Sequence, residues 1–297
     1  MYNETDIKKS KWGNVMKRRF EWLGIIIGMV LLLSGCQARG TTKNKVSHVN
    51  GAYVPTLFFH GYGSSINAET HMANAAVRAG VTRTVVQAVV ADDGRVQLKG
   101  TFKPGNVHPI VEVGFTNNQN TNYRQSGQWV KNVITALQRR YHIKAINVVG
   151  HSMGNMAIAY YLLQYGQDKD LPPVKKQVDI AGHFNGILGM DDKPNQVKFK
   201  ENGQPTKMNR SYRQLLKLRQ RYPKGQIDVL NIYGDKNDGT HSDGRVSNAS
   251  SQSLRYLVAA RAKSYREKRI LGANAQHSKL HENTQVDQAL IKFIWHK

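Results

Sequence analysis

The chemistry this sequence offers is concentrated first in Gly150-His151-Ser152-Met153-Gly154. These residues fit the G-x-S-x-G pattern, in which a serine stands on a sharp turn between a strand and a helix. The apolar residues 143–149 read as that strand, and a helix is expected from about Met153. Gly150 and Gly154 have no side chain to collide with neighbouring backbone in so tight a turn. The bend would lift the Ser152 hydroxyl clear of the sheet, and the helix N-terminus beneath it favours developing negative charge. A plainer use is a glycine-rich turn whose serine caps the helix. A serine hydroxyl is a weak nucleophile until a base takes its proton. If Ser152 attacks a substrate, a histidine and an acid to orient it must lie elsewhere in the chain.

Residues 234–246 hold three acids, Asp235, Asp238 and Asp243. Aspartate and glycine are also ordinary turn formers, so each has a structural alternative. Such a loop could bind a cation, but the spacing does not match an EF-hand. Two histidines compete as the base. His277 stands just before a closing amphipathic helix, and His281 follows one helical turn later. A loop position lets a ring swing between a serine and an acid, which favours His277. His241 lies close to the acids, and the His151 ring is expected to pack beside the bend.

These residues need a scaffold. Residues 54–59 form an apolar run that ends in His60-Gly61-Tyr62-Gly63, a buried strand entering a glycine-rich turn. Residues 68–79 read as helical, 84–90 as a strand, and 96–102 as its hairpin partner after the turn at Asp92-Asp93-Gly94. A further strand is expected within 107–116. Trp129, Val133, Leu137 and Tyr141 fall four apart, which marks an amphipathic helix lying on a sheet. Later strands are expected at 177–181, 227–233 and 264–271. Val286, Ala289, Leu290, Phe293 and Ile294 line one side of the last helix. Strands alternating with helices imply an α/β fold with a mainly parallel sheet covered on both faces. Residues 184–224 break the rhythm, with ten Lys or Arg against three Asp or Glu and a helix expected at 208–221.

The serine turn on this alternating pattern resembles the α/β-hydrolase superfamily, whose chain order is serine, acid, histidine. Asp243-Gly244-Arg245-Val246 looks like the Asp-Gly-x-Val loop that holds the acid in lipase-like members, which favours Asp243 over Asp238 and Asp235. His277-Ser278-Lys279-Leu280 resembles the histidine loop. The resemblance implies an oxyanion hole made by the N–H groups of Met153 and Tyr62, and a lid-like role for residues 184–224. Within the superfamily, residues 53–295 resemble a family of cell-surface hydrolases from Gram-positive bacteria, of unknown function. The marks are the motifs above together with Ala181-Gly182-His183-Phe184-Asn185-Gly186. Many relatives have proline where this chain has His183. What the resemblance implies is hydrolysis of a small-molecule or lipid carboxylic ester through an acyl-enzyme, with no metal or organic cofactor. Amidase, thioesterase and acyltransferase chemistry would use the same triad. A surface binding protein on a hydrolase fold is the non-enzymatic alternative.

The chain has 297 residues and a formal charge of +23. Its basic residues are scattered and no nucleic-acid motif accompanies them, so an anionic surface is the expected partner rather than nucleic acid. A single cysteine excludes an internal disulfide framework. Lys17, Arg18 and Arg19 precede an uncharged run at 23–33 and then Leu33-Ser34-Gly35-Cys36, which describes an export signal. Those last four residues resemble the lipobox of bacterial lipoproteins. The organisation expected is a signal over 1–35, lipid attached at Cys36, a tether over 36–52 and a catalytic body over 53–297. The expected location is the outer face of the cell membrane, and the expected state is a monomer.

Overall fold

The structure is a computed structural model, and it describes residues 53–297. The expected signal, Cys36 and the expected tether lie outside those residues. The described residues form eight strands: β1 (Thr56–Phe59), β2 (Val85–Val90), β3 (Val96–Lys99), β4 (Ile110–Phe115), β5 (Ile146–His151), β6 (Val174–Ile180), β7 (Asp228–Asp235) and β8 (Ser264–Leu271), apolar in the centre of the sheet and polar at its two edges, β3 and β8. They make one sheet in the order β3-β2-β4-β1-β5-β6-β7-β8. Only β3 runs antiparallel, returning on β2 as a hairpin. The fold is that of an α/β hydrolase, with the central strands buried on both faces.

Among the described residues eight α-helices accompany the sheet: α1 (Thr70–Arg78), α2 (Tyr123–Tyr141), α3 (Met153–Tyr165), α4 (Arg210–Leu215), α5 (Leu218–Arg221), α6 (Asn248–Gln252), α7 (Leu254–Val258) and α8 (Thr284–Trp295). The pleat sends successive side chains to opposite faces. Leu57 and Phe59 enter the core beneath α2 and α3, while Phe58 enters the core beneath α1 and α8. Asn122 caps α2 by accepting the Gln125 N–H, and the helix ends at His142 in the left-handed region. Trp129, Val133 and Leu137 form its buried stripe. Helix α3 is apolar on every side, and residues 153–163 are all buried. A helix of that kind belongs in the interior.

Two elements differ from expectation. Residues 208–221 form two short helices, α4 and α5, rather than one. Their ends are anchored apart: the Tyr212 hydroxyl donates to the Ser253 carbonyl at 2.9 Å, and the Tyr222 hydroxyl to Gln177 Oε1 at 2.8 Å. Helices α6 and α7 were not expected at all. Their serine-rich sequence carries a weak apolar period, but β7 and β8 are parallel, and parallel neighbours require a crossover.

Beneath the sheet lies a carboxyl pair outside the candidate site. Glu69 is fully buried, and neither of its carboxyl oxygens has a hydrogen-bond partner among the described residues. Burial, with the nearby charge of Glu112, pushes its pKa from 4.5 up to about 8. The folded protein therefore keeps a proton that the unfolded chain releases near pH 4.5. Stability from this group is whole below that pH, falls as pH rises toward 8, and then levels off. Relative to Glu69→Gln, the wild type should lose melting temperature between pH 5 and pH 8.5. Parallel melting curves for the two proteins across this range would refute the assignment.

Candidate active site

Strand β5 stops at His151, and Ser152 takes φ 51° and ψ −116° before α3 begins. A non-glycine residue in that region is strained by roughly 1–3 kcal/mol and persists only where its surroundings hold it. The holding groups are visible. Ser152 N donates to the Ile180 carbonyl at 2.9 Å. The Asn155 side chain donates to the Ser152 and Ile180 carbonyls at 3.0 and 2.8 Å. A Cβ on Gly154 would overlap the Phe59 carbonyl, so β1 and α3 meet only because that position is glycine.

The chain leaving β8 reaches His277 through a short turn. His277 is not on a loop as expected but opens a 3-10 helix over His277–Glu282 that also carries His281, and Gln276 caps it by accepting the Ser278 and Lys279 N–H groups. The His277 N–H donates to the Asp243 carbonyl at 3.0 Å. Its ring spans two partners: Nδ1 lies 2.7 Å from Asp243 Oδ2, and Nε2 lies 2.9 Å from Ser152 Oγ. Asp243 is 1% exposed. Its other oxygen accepts the Arg245 and Val246 N–H groups at 2.8 and 2.7 Å. A carboxylate so bound fixes the proton on Nδ1 and leaves the Nε2 lone pair facing the serine hydroxyl. The arrangement can take a proton from Ser152 as its oxygen attacks an electrophilic carbon.

The other candidates stand elsewhere. Asp238 is at the surface, bonded to Lys236 Nζ at 2.8 Å and to Thr240. Those bonds hold its carboxyl well below the usual range. Asp235 is buried and accepts from the Asn237 N–H and the Asn248 side chain, both at 2.9 Å. The exposed His241 ring lies 3.5 Å from that carboxylate. The His281 ring packs edge-on against His151, with centroids 4.9 Å apart, and its Nδ1 is buried without a partner among the described residues. Tyr62 and Met153 both line the cavity in front of Ser152.

Two contacts carried no signal in the sequence. His151 is buried, and its Nε2 lies 3.1 Å from the His277 carbonyl. Burial first, then His277 and His281, hold its pKa well below the ordinary histidine value. The neutral ring must therefore be the donor to that carbonyl. His183 is buried too, with Nε2 3.2 Å from the Tyr123 hydroxyl. Burial pushes its pKa down to about 4. The cavity holds about 500 Å³. Residues 184–224 contribute Ile187, Leu188 and the exposed Met190 to its wall.

The His151 contact can be tested without activity. In His151→Phe the ring stays but its donor to the His277 carbonyl is lost. We expect a loss of about 0.5–1.5 kcal/mol in denaturant unfolding, the net worth of one hydrogen bond. His151→Gln, which keeps a donor, should lose less. Equal stability of the Phe variant and the wild type would show that the bond contributes nothing.

Comparison with known proteins agrees with the fold. A gene product of Listeria innocua has a crystal structure that superposes with a TM-score of 0.75 at 26% identity, over 82% of this chain and 95% of that one. A Lactobacillus plantarum protein, described as a cell surface hydrolase, superposes with a TM-score of 0.68 at 22% identity, over 82% and 92%. No curated protein matches the chain. Residues 43–297 match the family described as alpha/beta hydrolase of unknown function (DUF915), and the chain belongs to that family.

Proposed function

We propose that this hydrolase cleaves carboxylic esters with Ser152 as nucleophile, His277 as base and Asp243 as the acid that orients it. The observation that carries the reading is the hydrogen-bonded line from Ser152 Oγ through the His277 ring to Asp243, at 2.9 and 2.7 Å. His277 Nε2 takes the hydroxyl proton as Ser152 Oγ attacks the ester carbonyl. The oxyanion is held by the N–H groups of Tyr62 and Met153. The tetrahedral adduct collapses, the alcohol leaves with the proton from His277, and an acyl-serine remains. Water deprotonated by the same ring attacks the acyl carbon, and the acid departs as Ser152 regains its proton. Asp243 stays ionised throughout and supports the imidazolium form of His277. No step calls for a metal or an organic cofactor.

The same reading places the protein, as a monomer, on the outer face of the cell membrane, held by lipid on Cys36. The basic residues and uncharged run before Leu33-Ser34-Gly35-Cys36 support it, as does the cell surface description of the similar Lactobacillus protein. Two lipid chains suffice for stable anchoring where one does not. Cys36→Ser should move the protein from the membrane fraction to the soluble or secreted fraction. Continued retention in the membrane would rule out the lipid anchor.

A fluorophosphonate probe should label the wild type, and labelling should vanish in Ser152→Ala and His277→Ala. On a short-chain aryl ester, Asp243→Asn should lower kcat by roughly 10⁴-fold, while Asp238→Asn and His281→Ala stay near wild type. A folded protein that neither labels nor turns over any ester would overturn the reading. An active Asp243→Asn beside a dead Asp238→Asn would reassign the acid.

A further inference from the structure

Among the described residues, Arg245 is the only arginine or lysine lining the active-site cavity, and no aspartate or glutamate lines it. The histidines His151, His183 and His281 in its wall are all held below the ordinary histidine pKa, chiefly by burial. The Arg245 backbone is fixed on both sides: its N–H donates to Asp243 Oδ1 at 2.8 Å, and its carbonyl accepts the Leu188 N–H at 2.9 Å. Its side chain is exposed. Among the described residues no carboxylate forms an ion pair with its guanidinium. The nearest acids of the insertion are already engaged. Asp191 accepts the Ile187 N–H and the Asn209 side chain, and Asp192 accepts the Ser247 hydroxyl. The hydroxyls of Ser64, Thr121, Tyr123 and Ser278 give the same cavity a polar lining beside its apolar wall.

We propose that Arg245 is an anion-recognition residue and that the substrate is an ester bearing a phosphate or carboxylate group. A guanidinium with five N–H donors suits either anion through two parallel hydrogen bonds. Its charge is uncompensated inside a concave wall, where field lines concentrate and attract an anionic ligand. The net excess of basic residues, 43 against 20 acidic in the whole chain, adds to that attraction at longer range. The inference deepens the ester-hydrolase reading and depends on it.

The test compares paired substrates that differ in charge. One pair puts the anion in the acyl half: the mono-4-nitrophenyl ester of glutaric acid against 4-nitrophenyl butyrate. The other puts it in the alcohol half: the butyryl ester of 4-hydroxybenzoate against that of 4-hydroxybenzamide. We expect kcat/KM to favour the anionic member of at least one pair by about tenfold at low salt. The preference should shrink as ionic strength rises. In Arg245→Ala the ratio should fall to about one, and Arg245→Lys should keep part of it. Lys103→Glu, an exposed change outside the cavity, should leave the ratio standing and so exclude a general field effect. Soluble glycerol phosphate and phosphatidylglycerol vesicles serve as competitors. Competition by vesicles alone assigns the anion to a lipid headgroup, and competition by the soluble anion assigns it to a soluble or polymer-borne group. Hydrolysis of neutral esters with no anionic preference in either pair, or a preference that survives Arg245→Ala, overturns the Arg245 inference alone. Loss of hydrolysis on every ester defeats the parent reading instead.

Discussion

The site depends on one backbone constraint, the positive φ of Ser152 between β5 and α3. An L-residue does not stay in that conformation unless its neighbours hold it there. Here they do so through a shared acceptor. The Ile180 carbonyl at the end of β6 accepts both the Ser152 N–H and the Asn155 side chain. Asn155 also bonds the Ser152 carbonyl and so ties the first turn of α3 to the bend. The strand after the bend continues the theme, because Ala181 at the end of β6 also has a positive φ, 51°. Two adjacent parallel strands thus end in strained residues side by side, and the cavity opens where they end.

The parallel sheet explains why the chemistry collects there. Ser152 follows β5, Asp243 follows β7, His277 follows β8, and Gly61 and Tyr62 follow β1. All four strands run the same way, so their carboxyl ends share one edge of the sheet. Ligands of open α/β sheets bind at such an edge, where the chain changes direction across the sheet. In this protein that place is the β1–β5 boundary, since β2, β3 and β4 lie on one side of it and β6, β7 and β8 on the other. Gly61 sits at the boundary, where a Cβ would stand 3.1 Å from the Ser152 Cβ and 3.3 Å from His151 Nδ1. Its missing side chain is therefore space for the reacting groups.

Most of this was legible in the residues, for identifiable reasons. Strands buried on both faces read as continuous apolar runs, and β1, β4 and β5 are of that kind. The Trp129 stripe declared α2 because that helix has one wet face. The bend was legible because a strand, two glycines and a serine leave few alternatives. Ser152, Asp243 and His277 stood out along the chain, but the hydrogen-bonded line joining them did not. It runs between residues 125 and 34 positions apart in sequence. The helices between β7 and β8 escaped notice because Ser250, Ser251 and Ser253 are buried polar residues whose hydroxyls bond backbone carbonyls. Apolar periodicity does not detect packing of that sort. The His151 ring was expected beside the bend, and His183 was noted in its motif, but the partners of both, the His277 carbonyl and the Tyr123 hydroxyl, are too far along the chain to be read from it.

The insertion and the acid loop are built as one wall. Leu188 N–H reaches the Arg245 carbonyl, Asn195 reaches the Gly239 carbonyl, and Ser247 reaches Asp192. Ser250, at the start of the crossover, accepts the Asn185 N–H and donates to the Gly186 carbonyl. Every one of these partners lies within a few residues of Asp243 along the chain or is bonded to its loop. Asp243 in turn fixes His277 through two contacts, one to the ring and one to the backbone N–H. A movement of residues 184–192 that opened the cavity at this end would break bonds to the loop whose backbone N–H groups hold the carboxylate. The shape of the mouth and the orientation of the imidazole therefore depend on one loop. That coupling gives any contact made on the insertion a physical route to His277 and Ser152.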